Sequence, residues 1–232
     1  TVPKMGTHTI LEPSYLSVLD KVPKAASSSR AELGLHRWRD AAAKIDHPKI
    51  LDRIEWHLSN SESRLILEAI FGNSPFLTLC ATSEPDVLLR ILEEGPDPIH
   101  KDCLTSLQLD KMVSEDQSFT AKSLRTVKRR AALTIAVADI TGQWETINVT
   151  RAISDLADVS ISYALRHLLV RFQRSGAFEL PNKDDPSVDS GYIVLGMGKL
   201  GARELNYSSD IDLIILYDQE VIQTKNPTKL QQ

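Results

Sequence analysis

Two aspartates one residue apart, Asp210 and Asp212, follow closely on a glycine-rich turn, and this is where the chain has the residue types for chemistry. The stretch from Ser190 to Asp218 reads SGYIVLGMGKLGARELNYSSDIDLIILYD. An apolar run from Tyr192 to Leu195 leads into Gly196, Gly198 and Gly201, and a short polar segment then leads to Asp210-Ile211-Asp212 and a second apolar run, Leu213 to Leu216. The pattern predicts a strand, a glycine turn, a short helix and a strand with two carboxylates at its start. On a strand, residues i and i+2 share a face, so the carboxylates would stand about 6 to 7 Å apart along the backbone, with Ile211 turned into a core. Two carboxylates held that close repel, and a hard divalent cation relieves the repulsion. Mg²⁺ is commonly held by one or two protein carboxylates plus substrate phosphates and waters, which makes the pair a candidate two-metal phosphoryl-transfer site. The plainer alternative is that Asp210 caps a turn and Asp212 is a solvated strand end.

Three motif families compete for the glycines. A phosphate-binding loop of the G-x-x-x-x-G-K-[ST] type fails, because Lys199 is followed by Leu200 and the glycine spacing is wrong. The dinucleotide fingerprint G-x-G-x-x-G fits through Gly196, Gly198 and Gly201, with Asp218 at the end of the next strand as its acidic partner. Against it, a helix between Gly201 and Ser209 is too short to cross back over a parallel sheet, and Asp210 and Asp212 are left without a role. The third reading is a nucleotidyltransferase turn, in which glycine amides approach a phosphate and the chain returns to a strand carrying D-x-D.

The run GMGKLGARELNYSSDIDLI resembles the signature of the bifunctional glutamine synthetase adenylyltransferase/adenylyl-removing enzymes, members of the DNA polymerase β-like nucleotidyltransferase superfamily. Lys199 stands where many superfamily members have Ser, and would act as a point charge, not a hydroxyl donor. Upstream, NSPFL at Asn73, LRTVKRRAALTIAVADITG at Leu124 and ISDLADVSISYALRHL at Ile153 resemble the helical region before the first catalytic domain of that family. The resemblance implies removal of AMP from a glutamine synthetase tyrosine by phosphorolysis, giving ADP, as part of a multifunctional enzyme regulating nitrogen assimilation. It implies Asp210 and Asp212 as catalytic and Mg²⁺-binding residues, with Gly196, Gly198, Lys199 and Ser209 at the nucleotide, ATP or ADP. The implied partners are glutamine synthetase and a PII-type nitrogen signalling protein. The superfamily's third carboxylate has no counterpart after Glu220, where VIQTKNPTKLQQ is free of acids, so the sequence is expected to stop inside its catalytic domain and the chain alone to be inactive. The alternatives are a non-catalytic helical interaction module with a nucleotidyltransferase remnant, and a dinucleotide-binding protein.

Composition bounds the class. The chain has 232 residues, 42% of them hydrophobic and 25% charged, which is the soluble globular average and excludes disorder as the main state. A net charge of -4 gives no reason to expect nucleic acid. No apolar run reaches the length of a membrane span and no signal pattern opens the chain, so a cytoplasmic protein is expected. Cys80 and Cys103 are expected to be reduced core residues, and no histidine is assigned to metal.

The elements that must position the site are helical. Ser27 to Ser29 offer N-caps for a helix with Leu33, Trp38, Ala41 and Ile45 inward, and a short helix precedes it from Ser14 to Asp20. Pro48 opens another through Ile50, Ile54 and Leu58, and a capping box at Ser59 and Glu62 opens a third through Leu65, Ala69 and Ile70, ended by Gly72. Ser74-Pro75 turns the chain, and Ser83-Glu84-Pro85 starts a helix with Val87, Leu88, Ile91 and Leu92 that stops at Gly95. From Ala121, Lys122, Arg125, Lys128, Arg129 and Arg130 interleave with an apolar face. Asn148 or Thr150 caps a last helix whose stripe is Ile153, Leu156, Ala157, Ala164, Leu165, Leu168 and Phe172. Pro181 to Ser190 reads as a linker. The expected class is α+β: an all-α region over 1–185, then the start of a polymerase β-like mixed sheet over 186–232.

Overall fold

The structure, a computed structural model, describes residues 19, 21–45, 47–108, 116–176, 179–182, 185–218 and 220–221. Its class is α+β: mostly helix, with one two-stranded antiparallel sheet near the end. The contacts group the chain into two compact units, one of residues 1–99 and 133–145, the other of 100–132 and 146–232.

The first unit holds α1 (Ser28–Ala42), α2 (Pro48–Ser59), α3 (Ser61–Asn73), α4 (Pro75–Ser83) and α5 (Pro85–Glu94), with the first residues of α6 (Pro96–Gln108) and the later part of α7 (Gln117–Ile140). Prolines open α2, α4, α5 and α6, since a first-turn residue needs no intrahelical N–H bond and proline's fixed φ suits it. The Ser74-Pro75 turn and the Pro96 segment are therefore helix starts, and α4 and α6 are helices that local pattern did not reveal. Ser27 caps α1 through Arg30 N–H, as expected. The cap of α3 is Asn60, which accepts from the amides of Glu62 and Ser63, while Ser59 closes α2. The core gathers Trp38, Ile54, Ile66, Leu67, Ile70, Phe71, Leu88, Ile91 and Leu92. Trp38 is packing, fully buried, with its indole N–H donated to the Pro85 carbonyl at 3.1 Å. The buried face of α1 is Ala31, Gly34, Leu35, Trp38 and Ala42, so Leu33 is exposed.

A polar cluster reaches from the buried His57 and Ser63 to the partly exposed Glu93 and Arg53. His57 Nδ1 lies 2.8 Å from Ser63 Oγ and its Nε2 lies 3.7 Å from Glu93, which Arg53 engages through Nε at 2.8 Å. Burial, then the neighbouring Arg53 charge, pushes His57 down to about 4.

The second unit holds the rest of α6 and α7, then α8 (Thr146–Arg174), β1 (Tyr192–Gly196), α9 (Gly198–Gly201) and β2 (Leu213–Tyr217). Asp116 accepts from Ser118 N–H just before α7, four residues earlier than the pattern suggested. Thr146 already lies in α8, so Asn148 and Thr150 are helical residues and not its caps. The buried residues of α8 are Val149, Ala152, Ser154, Tyr163, His167 and Leu169, while Leu168 and Phe172 are exposed. Arg166 donates to the Leu107 carbonyl at 3.1 Å, and His167 Nδ1 meets Thr120 Oγ1 at 3.0 Å, tying α8 to α6 and α7. Leu169 and Leu180, with Leu165, Tyr192 and Tyr217, form a small core beneath the sheet. Cys80 and Cys103 are both buried thiols outside any disulfide. Of the expected helix from Ser14 to Asp20, all but Leu19 lies outside the described residues. Among the described residues no single helix is long and apolar enough to cross a membrane.

Candidate functional site

β1 and β2 form because each is a run of β-branched and aliphatic residues between turn residues. They pair antiparallel, Tyr192 opposite Tyr217, Val194 opposite Ile215 and Gly196 opposite Leu213. One further backbone bond, from Met197 N–H to the Asp212 carbonyl at 2.9 Å, carries the ladder past the end of β1 and ahead of the start of β2. Asp212 is thereby fixed beside the first residue of the glycine turn. The antiparallel pairing also excludes the dinucleotide unit at this place, since that unit needs parallel strands joined by a crossover helix.

The helix of the turn is α9, a single turn from Gly198 to Gly201. It lies ahead of the predicted Gly201 to Ser209 position, so Glu204 and Asn206 are in the coil that follows. Gly198 takes a φ of 51° with open space around it, a left-handed conformation that glycine adopts without steric cost. Leu200 and Leu205 are buried and anchor the segment on either side of Arg203.

Asn206 and Ser209 then make a closed turn. Ser208 N–H and Ser209 Oγ both donate to Asn206 Oδ1, at 3.0 and 2.9 Å, and Asn206 N–H reaches Ser209 Oγ at 3.1 Å. The serine hydroxyl is thus committed to shaping the entry to Asp210. Asp210 and Asp212 follow, both exposed, and neither engages another described side chain. Ile211 between them is 44% exposed instead of buried in a core. Lys199 and Gly198 are exposed and Gly196 is half-buried; of the expected nucleotide residues Gly196 ends β1, Gly198 and Lys199 lie on the turn, and Ser209 stands at the end of the coil before the carboxylates.

Sequence reasoning missed the residues that hold this coil. Arg203, with a φ of 58°, pairs with Asp155 and lies 3.4 Å from Asp158, both on α8. Leu205 N–H donates to Ser154 Oγ at 3.3 Å, and Ser154 is fully buried. Burial pushes the Asp158 carboxyl up, against the pull of Arg203, and Asp155 adds to the rise. No local signal marks these partners, because they are separated by 45 to 51 residues.

The donor set suits a hard cation. Two unengaged carboxylates on alternate residues, joined by no histidine or cysteine in a metal-binding group among the described residues, match Mg²⁺ held with substrate oxygens and water. Among the described residues no third His, Cys, Asp or Glu joins them in a metal-binding group.

A family profile described as glutamate-ammonia ligase adenylyltransferase matches residues 65–230. Three curated proteins similar to the chain are all described as bifunctional glutamine synthetase adenylyltransferase/adenylyl-removing enzyme. That of Rhodopseudomonas palustris (strain HaA2) is 41% identical over 155 residues, 67% of this chain and 16% of that protein. That of Bradyrhizobium diazoefficiens is 36% identical over 200 residues, 86% of this chain and 20% of the relative. That of Xanthobacter autotrophicus is 33% identical over 213 residues, 90% of this chain and 21% of the relative. The chain spans about a fifth of the length of the curated relatives it matches. No solved structure matches.

Proposed function

Because the chain belongs to the glutamate-ammonia ligase adenylyltransferase family, we propose that it carries part of the adenylyl-removing half of such an enzyme, which acts by phosphorolysis of adenylyl-tyrosine on glutamine synthetase. The observation that carries this reading is the placement of Asp210 and Asp212 beside a glycine turn on an antiparallel hairpin, after a long helical run from α1 to α8. The order, helices first and then the D-x-D hairpin, supports the adenylyl-removing half over the adenylylating one.

In this reading Asp210 and Asp212 would hold Mg²⁺ beside the adenylyl phosphate. The bound ion supplies charge stabilisation to the phosphoryl oxygens and the leaving tyrosyl oxygen. The loop at Gly196 and Gly198 lets main chain approach a phosphate closely, and Lys199 adds a mobile positive charge for the incoming phosphate or the ADP product. Ser209 acts on the carboxylates' approach through Asn206, with its hydroxyl at the edge of the site. The protein partners are adenylylated glutamine synthetase and, for control, a PII-type signalling protein, and the setting is the cytoplasm.

Placing two metals about 3.5 to 4 Å apart for in-line displacement normally needs more anionic ligands than two. The chain by itself is therefore expected to hold Mg²⁺ and adenine nucleotide weakly and to turn over nothing. The test uses a protein of the relatives' length that carries this sequence, with its adenylylating site inactivated, and follows ADP release from adenylylated glutamine synthetase and phosphate. Asp210→Asn or Asp212→Asn is expected to lower that rate by several orders of magnitude with folding unchanged. Near-wild-type phosphorolysis by either variant would return both aspartates to a structural role.

A further inference from the structure

The coil that leads to the two carboxylates is held by α8, through one arginine whose backbone is in an unfavourable region. Arg203 is one of two described non-glycine residues with positive φ, the other being Asp189, and a side chain there persists only where its surroundings fix it. Its surroundings do so from two directions. The guanidinium spans Asp155 and Asp158, one turn apart on the same face of α8. Two residues on, Leu205 is buried and gives its N–H to the buried Ser154 hydroxyl, which in turn donates to the Thr150 carbonyl at 2.8 Å. Immediately beyond lies the closed Asn206–Ser209 turn, and then Asp210.

We propose that Arg203, clamped by Asp155 and Asp158 and seconded by Ser154, is a positioning residue that sets where Asp210 and Asp212 stand relative to the glycine turn. This rests on the reading of those aspartates as Mg²⁺ ligands. The ion pair is half-exposed, with side-chain exposures of 49% for Arg203 and 34% for Asp155, so it is worth little to global stability. What it fixes is geometry. The path from Asp155 to Asp210 runs through the Arg203 ion pair, the buried Leu205 and the hydrogen-bonded Asn206–Ser209 turn, so a loosened clamp leaves the carboxylates free to spread. Residues that orient metal ligands from behind commonly change metal affinity by about tenfold or more when removed.

Arg203→Gly removes the guanidinium and its stem at a φ that glycine accepts. Arg203→Gln, which keeps a stem at that φ and loses the charge, controls for the backbone freedom that glycine adds. Two readouts on the 232-residue chain separate the questions. In the metal-free protein, amide hydrogen exchange at Leu205, Ser208 and Ser209 is expected to accelerate while that of the β1–β2 ladder does not. Binding of Mn²⁺ alone, followed by paramagnetic resonance, is expected to weaken about tenfold, with an unchanged thermal midpoint. Arg203→Glu combined with Asp155→Arg is expected to recover part of both effects. Unchanged exchange in Arg203→Gly would overturn the clamp, and altered exchange with unchanged Mn²⁺ affinity would reduce Arg203 to a structural residue. If Asp210→Asn and Asp212→Asn themselves leave Mn²⁺ affinity unchanged, it is the metal-site reading that fails, and the exchange result stands apart from it.

Discussion

Gly201 sits so close to Gly196 that a Cβ at Gly201 would come within 2.5 Å of the Gly196 carbonyl oxygen. The single turn of α9 is thereby pressed onto the end of β1, next to the Met197 N–H that bonds the Asp212 carbonyl. A carbonyl of a paired strand has little room to move. Gly201→Ala is expected to cost about 1 to 3 kcal/mol, the usual range for overpacking, and to weaken Mn²⁺ binding at the neighbouring carboxylates. Gly198→Ala meets open space and strains only its own φ, so its expected cost is about 1 kcal/mol. Equal thermal midpoints for wild type and Gly201→Ala would show that the strand end yields.

The burial of α8 predicts a contrast between adjacent leucines. Leu169 is 2% exposed and packs with Leu180, Leu165 and the two sheet tyrosines, whereas Leu168 is 45% exposed. Leu169→Ala is expected to destabilise by about 2 to 4 kcal/mol and Leu168→Ala by about 0.5 kcal/mol or less, measured by denaturant unfolding. Leu156 and Leu165 are half-buried, so their truncations should fall between. A larger effect at Leu168 than at Leu169 would mean that the other face of α8 is the packed one.

The buried His57 predicts an acid-sensitive first unit. Its folded pKa of about 4 lies below the ordinary 6.5, so the unfolded chain binds the extra proton first. The stabilisation is fully present above pH 6.5 and is lost as pH falls toward 4, on the order of 3 kcal/mol in all. His57→Gln keeps a polar group near Ser63 and removes the titration. The stability difference between wild type and His57→Gln is expected to narrow as pH drops from 6.5 to 4, and a pH-independent difference would place the His57 proton elsewhere.

The sequence by itself determined what is written within a few residues. The start of α2 at Pro48, the Ser27 cap of α1, the extent of α5 up to Gly95, the two strands and the D-x-D pair are all local signals, and the run from Gly196 to Ile214 carries the family resemblance that the comparisons bear out. Tertiary structure decided which face of a helix is inside. On α1 and α8 a shift of one residue turns a side chain by about 100°, and several positions satisfy the same apolar spacing. Leu33, Leu168 and Phe172 are therefore outside while Leu35, Tyr163 and His167 are inside. Pro75 starts α4 behind the Ser74 cap, whose hydroxyl accepts from Leu77 N–H, and Pro96 starts α6; a proline alone leaves open whether the chain turns or continues as helix. The antiparallel pairing that separates this turn from a dinucleotide loop, and the reach of Arg203 to α8, join residues far apart in sequence, and no local pattern encodes a partner at that distance.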